Sequence, residues 1–226
     1  MENLFRKLRV DINENIYVKD PLSSDLGKNI IHQGLQLIGE LGIENFTFKK
    51  LAIAIGCTES AIYRYFDNKH KLIMYLTLWY WGFLDQNIIV TTANLTDPKQ
   101  KLLKAISILV KGPMFSNNDF IDPLDLKQLL VDEGTKAFMT KEIDQEYQIG
   151  YFKLFDRLIS RVAGMVGEVN PDYPFPKALI STIMESGLVQ NYYSTHLPNL
   201  TELESEEMEK VDFFSQMVFK TIGHEY

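Results

Sequence analysis

Hydrophobic residues recur at intervals of three and four along most of the chain, and proline and glycine divide these stretches into segments of helical length. Little strand-like alternation follows residue 22, so the pattern predicts an all-α fold. The most persistent apolar stripe runs from Ile143 to Met165 and predicts one long helix that is capped by Thr140.

Residues that flank these stripes predict where the first helix begins and ends. Ser23 or Ser24 is expected to cap its start, and Gly42 is expected to stop it in a left-handed conformation. The preceding stretch, residues 9–19, is the one compatible with extended structure, and Pro21 favours its end because the residue before proline avoids the helical region.

The stretch from Phe46 to Leu72, FTFKKLAIAIGCTESAIYRYFDNKHKL, predicts two short helices joined by a tight turn. Thr47 caps the first helix, and Gly56 permits the positive φ that the turn requires. Ala52 is small enough for the second helix to cross closely. This order of helix, glycine turn and capped helix is typical of a helix-turn-helix DNA reader.

Thr58 is expected to cap the second helix. Its inward positions are predicted to be Ala61, Ile62 and Phe66, and its outward positions to be Glu59, Ser60, Tyr63, Arg64 and Tyr65. Hydroxyl groups on the outward side suit phosphate contacts, a guanidinium suits guanine or the backbone, and a carboxylate accepts from cytosine N4. Lys69, just after this helix, is expected to neutralise a further phosphate.

The net charge of −7 argues against nucleic-acid binding when the chain is taken as a whole. The distribution changes that picture, because residues 1–71 hold 10 Lys+Arg against 9 Asp+Glu, whereas residues 72–226 hold 13 against 21. Residues 46–71 contain five basic residues and two acidic residues. Three further basic residues near the start, Arg6, Lys7 and Arg9, either touch a phosphate backbone or are only solvated, and solvation is favoured.

Residues 26–72 resemble the DNA-binding head of the TetR (tetracycline repressor-like) family. The resemblance is carried by the following features: Gly42 after the first helix, Phe46-Thr47, Leu51-Ala52, the run Ala61-Ile62-Tyr63-Arg64-Tyr65-Phe66, Asn68-Lys69 and Leu72. It covers about a fifth of the chain. It implies an N-terminal arm over 1–22, a three-helix DNA-binding head over 23–71, and a helical effector-binding and dimerisation domain over 72–226.

The same resemblance implies roles for individual residues. Phosphate contacts fall to Thr47, Tyr63 and Lys69, with Tyr65 as an additional candidate; the side chains facing bases are Lys49, Glu59, Ser60, Ala61 and Arg64. Two positions depart from the family pattern, since Gly34 stands where alanine is common and Glu59 brings an acidic group toward DNA. Glu59 therefore prevents any inference of the operator sequence.

The resemblance also implies a homodimer that binds a palindromic operator and is released by a small-molecule effector. The last two predicted helices, 177–197 and 202–222, have broad apolar faces, and their expected interface residues are Ile180, Ile183, Met184, Leu188, Val211, Phe214 and Val218. Aromatic residues that line either an effector pocket or ordinary core are Trp79, Phe83, Phe115, Phe120, Tyr147, Tyr151 and Phe155.

Other chemistry finds little support in the sequence. The single cysteine, Cys57, is expected to pack as a small apolar residue, and the four histidines lack metal-ligand spacing. We therefore expect no enzyme activity, cofactor or metal. The longest apolar stretch, residues 72–84, is shorter than the ~20 residues that span a bilayer, and no secretion signal is evident, so a cytoplasmic location is expected. A helical protein-interaction dimer without DNA readout, or less plausibly an enzyme, remains the alternative.

Overall fold

The structure, a computed structural model, describes residues 10–116, 118–203 and 206–224. These residues contain no strand, which confirms the all-α prediction. Their ten α-helices are α1 (Asp25–Asn45), α2 (Phe48–Ile55), α3 (Glu59–Tyr63), α4 (Lys69–Thr92), α5 (Pro98–Lys111), α6 (Pro123–Glu133), α7 (Ile143–Gln148), α8 (Lys153–Val169), α9 (Pro176–His196) and α10 (Glu207–Thr221).

The helices near the N-terminus begin at the predicted caps, but α1 ends later than the predicted stop at Gly42. Ser24 caps α1 by accepting a hydrogen bond from the Gly27 N–H at 3.2 Å, and Thr47 caps α2 by accepting from the Lys50 N–H at 3.2 Å. Gly42 bends α1 with a φ of 75°, after which a last helical turn reaches Asn45. These features fix the direction in which the chain enters α2.

The long helix predicted from Ile143 to Met165 is wrong, because the structure has two helices there. Gly150 has a φ of +87° and separates α7 from α8. A left-handed residue interrupts the hydrogen-bond ladder of a right-handed helix, and the apolar stripe on its own gives no sign of that break. Glu142 stands at the N-cap of α7 in place of Thr140.

The chain forms two compact units. The first comprises residues 1–82 and 116–154, and the second comprises residues 83–115 and 155–226. In the first unit, α1 packs against α2 and α6. In the second unit, α5 packs against both α9 and α10. The predicted division of the chain at residues 22 and 71 stays a prediction.

The described part of the predicted N-terminal arm, residues 10–22, packs within the first unit. Ile12 and Ile16 are buried, and the backbone N–H of Val18 donates to the Tyr65 carbonyl at 2.8 Å. The Val10 side chain occupies the space above Gly82, where an added Cβ would come within 2.4 Å of Val10 Cγ1. Arg6, Lys7 and Arg9 lie outside the described residues.

A second set of hydrogen bonds connects the same segment to α4 and to the residues that follow α7. The Asn15 carbonyl accepts from Lys71 Nζ at 3.1 Å and from the Tyr151 hydroxyl at 2.9 Å. Asn13 Nδ2 donates to the Ile149 carbonyl at 2.9 Å. Residues 10–22 therefore connect several parts of the first unit.

The residues predicted for the dimer interface are largely unavailable to a partner. Six of the seven lie in the interior of a single chain, with exposed fractions between 0 and 7%: Ile180, Ile183, Met184, Leu188, Phe214 and Val218. The helix α5, which carries an apolar stripe, packs against α9 and α10, and α9 and α10 also pack against each other. Gly187 lies at the contact between α9 and α5, where an added Cβ would be 3.7 Å from Val110 Cα, an ordinary van der Waals distance. Only Val211 is half-buried.

Candidate DNA-binding site

Helices α2 and α3 form the predicted helix-turn-helix around Gly56. Gly56 adopts the left-handed conformation, with φ 70° and ψ 36°, and the Cys57 N–H donates to the Ala52 carbonyl at 3.0 Å. Ala52 and Ile62 are buried, and Ala61 is 9% exposed. Ala61 therefore belongs mainly to the packed side of α3, with a narrow edge at the surface.

Cys57 completes the turn without a reactive environment. Its thiol is half-buried and donates to the Thr58 carbonyl with a sulfur–oxygen distance of 3.3 Å. Burial raises the pKa of this thiol, which disfavours the nucleophilic thiolate. The geometry agrees with the packing role that the sequence suggested.

The polar side chains predicted to face DNA are exposed at seven positions: Thr47, Lys49, Thr58, Glu59, Ser60, Tyr63 and Arg64. Thr58 is the N-cap residue of α3, but its hydroxyl pairs with the Ser60 hydroxyl at 3.2 Å and makes no capping hydrogen bond. The surface is therefore rich in hydroxyl groups that can either donate or accept. Contact with DNA stays a prediction for each of these residues.

Tyr63 and Arg64 define the end of this surface. The Tyr63 ring meets Phe48 edge-to-face, with centroids 5.1 Å apart, so the side chain is held by α2 while it remains 47% exposed. Arg64 is exposed, and its guanidinium has no hydrogen bond or ion pair to the described residues. Its guanidinium is thus available to an anionic or hydrogen-bonding partner.

Tyr65 was predicted to point outward, and that prediction is wrong. The side chain is only 4% exposed, and its hydroxyl shares a hydrogen bond with Ser24 Oγ at 2.7 Å. Helix α3 ends at Tyr63, so Tyr65 does not continue the outward face. Lys19 places its ammonium 5.3 Å from the ring centroid, which adds a cation–π contact.

Lys69 also differs from the role that the resemblance implied. Its ammonium donates to the carbonyls of Ile43 at 3.0 Å, Glu44 at 3.4 Å and Phe46 at 3.3 Å. An ammonium has three N–H groups, so this geometry leaves none for a phosphate. Lys69 is therefore a positioning residue that holds the segment between α1 and α2.

The same segment is held from the opposite direction by α6. A carboxylate oxygen of Glu133 accepts a hydrogen bond from the Ile43 N–H at 2.9 Å, and the same oxygen would lie 3.0 Å from a Cβ at Gly42. Sequence reasoning missed this pair because the partners are distant in the chain. The close approach to Gly42 is a tertiary constraint that helix-capping rules do not include.

The residues proposed to line a pocket are distributed over both compact units. Trp79, Phe83 and Tyr151 are buried, and Phe115 and Phe155 are half-buried. The two exposed members are Phe120 and Tyr147. An effector pocket formed by these residues stays a prediction.

Comparison with known protein families identifies the same segment. Residues 30–76 match the model described as "Bacterial regulatory proteins, tetR family", which includes most of α1, all of α2 and α3, and the start of α4. Residues 30–76 therefore carry the sequence pattern of the tetR-family regulators. The resemblance stated for residues 26–72 is therefore confirmed.

Solved structures extend the similarity beyond residues 30–76 to the fold of the helical body. A bacterial regulatory protein of the tetR family from Rhodococcus RHA1 shares 14% identity with a TM-score of 0.62, covering 90% of this chain and 100% of that one. The fatty acid degradation regulator FadR from Bacillus halodurans shares 18% identity with a TM-score of 0.58, covering 87% and 98%.

A third similar structure is AibR in complex with isovaleryl coenzyme A and operator DNA, with 12% identity, a TM-score of 0.53, and coverage of 83% and 95%. No curated protein sequence matches this chain significantly. Within the described ranges, none of the helices has both the length and the apolar character that crossing a membrane requires.

Proposed function

We propose that this chain is a transcriptional repressor that binds a palindromic operator as a homodimer and is released by a small-molecule effector. The observation that carries the proposal is the exposed polar side of α3, placed after a left-handed Gly56 within a tetR-family head. A helix of this kind reads base edges in the major groove while neighbouring residues hold the phosphates.

The exposed residues divide by chemistry into two groups. Thr47, Thr58 and Tyr63 supply hydroxyl groups for phosphate oxygens. The base-reading group comprises Lys49, Glu59, Ser60, Arg64 and the surface edge of Ala61. Tyr65 and Lys69 are left out, since their polar groups already have partners inside the first unit. The basic excess within 46–71 favours the approach of DNA to this side of the head.

The proposed homodimer uses the outward sides of α9 and α10. Val189 on α9 and Phe213 on α10 are 43% and 45% exposed. A second copy that covers them would remove this apolar surface from water. Paired heads would read half-sites one DNA turn apart, about 34–36 Å, or a multiple of that spacing.

The effector is proposed to be a small organic molecule that binds the helical body. AibR, which shares the fold, was solved with isovaleryl coenzyme A and operator DNA together, which supports a body that senses a metabolite. Release requires the effector to bind the non-operator conformation more tightly than the operator-bound one. We also propose that the protein has no enzymatic activity and acts in the cytoplasm.

Selection of bound sequences from a randomised duplex library tests the proposal. The recovered site should be palindromic, and fluorescence anisotropy should show an affinity that falls with salt, with a log–log slope of about −0.9 for each phosphate contact. Arg64→Ala should weaken binding, whereas Lys104→Ala in the second unit serves as a matched change in charge. Failure to enrich any duplex, or an affinity insensitive to salt, would overturn DNA regulation by this head.

A further inference from the structure

The chain contains five arginines among its 23 basic residues, and two of them share a single carboxylate in the second unit. Arg157 and Arg161 are one turn apart on α8, and both pair with Asp85 on α4. Arginine differs from lysine in offering a planar fork of five N–H donors that matches carboxylate and phosphate oxygens. The position of this pair is therefore chemically informative.

Asp85 uses both of its oxygens to orient the two guanidinium groups. Arg161 Nε donates to Oδ1 at 2.6 Å and its Nη2 donates to Oδ2 at 3.5 Å, while Arg157 Nε donates to Oδ2 at 3.0 Å. The remaining terminal N–H groups, including all four on the Nη atoms of Arg157, have no acceptor among the described residues. The Asp85 carboxylate thus orients the two guanidinium groups but leaves most of their N–H donors available.

The charges of this cluster do not balance. Asp85 is fully buried, and within the described residues it is the one carboxylate at ion-pair distance from either guanidinium, so two positive charges meet one negative charge. The side chains of Arg157 and Arg161 are 47% and 32% exposed, which keeps them accessible to a solute. Two like charges held on one carboxylate repel each other, and a second anion would relieve that repulsion.

We infer that Arg157 and Arg161 form a binding site for the oxyanion of a small organic ligand, either a carboxylate or a phosphate. Asp85 is the positioning residue of this site, because it holds both guanidinium groups by their Nε edges. The two terminal edges then act as donors to the ligand's oxygens. The site deepens the proposed function, on which it rests for one point only, namely that its occupant is the effector.

Arginine Nε–Hε NMR correlations test the site on the full-length protein without DNA. Sodium acetate and inorganic phosphate are titrated separately at constant ionic strength, with chloride as the balancing ion. We expect the Arg157 and Arg161 signals to shift saturably with at least one probe. Their apparent dissociation constant should be at least about tenfold lower than that of the exposed Arg64, which serves as the internal reference. Acetate preference would indicate an organic acid, and phosphate preference a phosphorylated ligand.

Two variants distinguish binding from a purely structural ion pair. Arg157→Gln leaves Arg161 paired with the buried Asp85, so we expect the fold to be retained. The apparent dissociation constant of the probe, followed through the Arg161 signal, should then rise at least about tenfold. Arg157→Lys restores the charge without the fork and should recover part of the affinity. Lys101→Gln, which removes another partly exposed ion-paired cation of the same unit, should change nothing.

Shifts that follow ionic strength alone, or that are the same in Arg157→Gln, would show that the two arginines serve only to neutralise Asp85 and would overturn the inference. The titration is independent of operator binding. Failure of the DNA-selection experiment would therefore leave a positive result for this site intact, and failure of the titration would leave the DNA-binding proposal intact.

Discussion

The Glu133 carboxylate accepts a hydrogen bond from the backbone N–H of Ile43 at 2.9 Å across 90 positions of the sequence. Glu133 is the last residue of α6, and Ile43 immediately follows the bend at Gly42, a few residues before the first helix of the helix-turn-helix begins. The orientation of the reading head within the first unit is therefore tied to α6 by one charge-assisted hydrogen bond.

Replacing Glu133 with alanine should lower both stability and operator affinity. The Ile43 N–H would lose a charged acceptor in a partly buried position, which costs about 1–3 kcal/mol of unfolding free energy. Urea denaturation measures this loss, and anisotropy should show weaker binding with unchanged sequence preference. Glu133→Gln keeps a hydrogen-bond acceptor, so its stability and operator affinity should lie between those of the wild type and Glu133→Ala. Asp132→Ala, an exposed neighbour bonded to Gln128 within α6, is the control.

A second prediction concerns the ammonium of Lys69, which we place in the fold and not on DNA. Lys69→Met keeps the apolar stem but leaves three carbonyls without their donor, so we expect about 1–3 kcal/mol of lost stability. The matched variant is Lys50→Met, which removes a donor to the single exposed carbonyl of Asn45 and should cost less. Equal stability of Lys69→Met and wild type in urea denaturation would contradict this assignment.

Local sequence signals predicted the structure well where the cause was local. Ser24, Thr47 and Gly56 each act within a few residues of themselves, through a capping hydrogen bond or a positive φ, and each acts as predicted. Gly42 has the positive φ, but it bends α1 and does not end it. Together with the exposed polar side of α3, they made the head recognisable from the chain alone.

Predictions failed where a distant segment determined the outcome. Tyr65 is buried, and its hydroxyl pairs with Ser24, 41 positions earlier in the sequence. Six of the seven predicted interface residues are buried within a single chain, where α5, α9 and α10 pack together. A hydrophobic stripe shows that a face is buried but not which surface buries it. The same limit applies to Gly150, whose bend separates α7 from α8 within an unbroken apolar periodicity.

A third prediction separates sequence reading from phosphate binding at the exposed end of α3. Arg64→Ala should change which bases are preferred as well as the affinity, with about 1–3 kcal/mol lost at its contacted position. Tyr63→Phe removes only a hydroxyl and should weaken binding to all duplexes alike. Repeated selection from a randomised library measures both effects. An unchanged base preference in Arg64→Ala would remove that residue from the base-reading group.

A fourth prediction follows from Glu185 on α9, where burial raises the pKa of the carboxyl group above its ordinary value. The folded state therefore binds this proton more tightly than the unfolded chain does. Its contribution to stability is present below the ordinary carboxyl pKa and is lost as the pH rises through the raised value. Glu185→Gln should accordingly raise the thermal midpoint at neutral pH.

That stabilisation by Glu185→Gln should shrink as the pH falls toward about 4, where the wild-type carboxyl also becomes protonated. Thermal unfolding followed by circular dichroism across this range checks the trend. The control is Glu206→Gln, at an exposed position before α10. A constant difference at every pH would show that the substitution acts through packing and not through the proton.

The last prediction tests the homodimer with two neighbouring phenylalanines on α10. Phe213 is 45% exposed and Phe214 is 1% exposed, so a charge has opposite consequences at the two positions. Phe213→Glu, combined with Val189→Glu on α9, places charges on the proposed interface and should give a folded monomer in sedimentation. Phe214→Glu buries an unpaired carboxylate and should unfold the chain. Both variants lose palindrome binding, but only the folded monomer keeps its helical circular dichroism and weak half-site affinity. If the double variant still sediments as a dimer, the dimer interface lies on another surface of the protein.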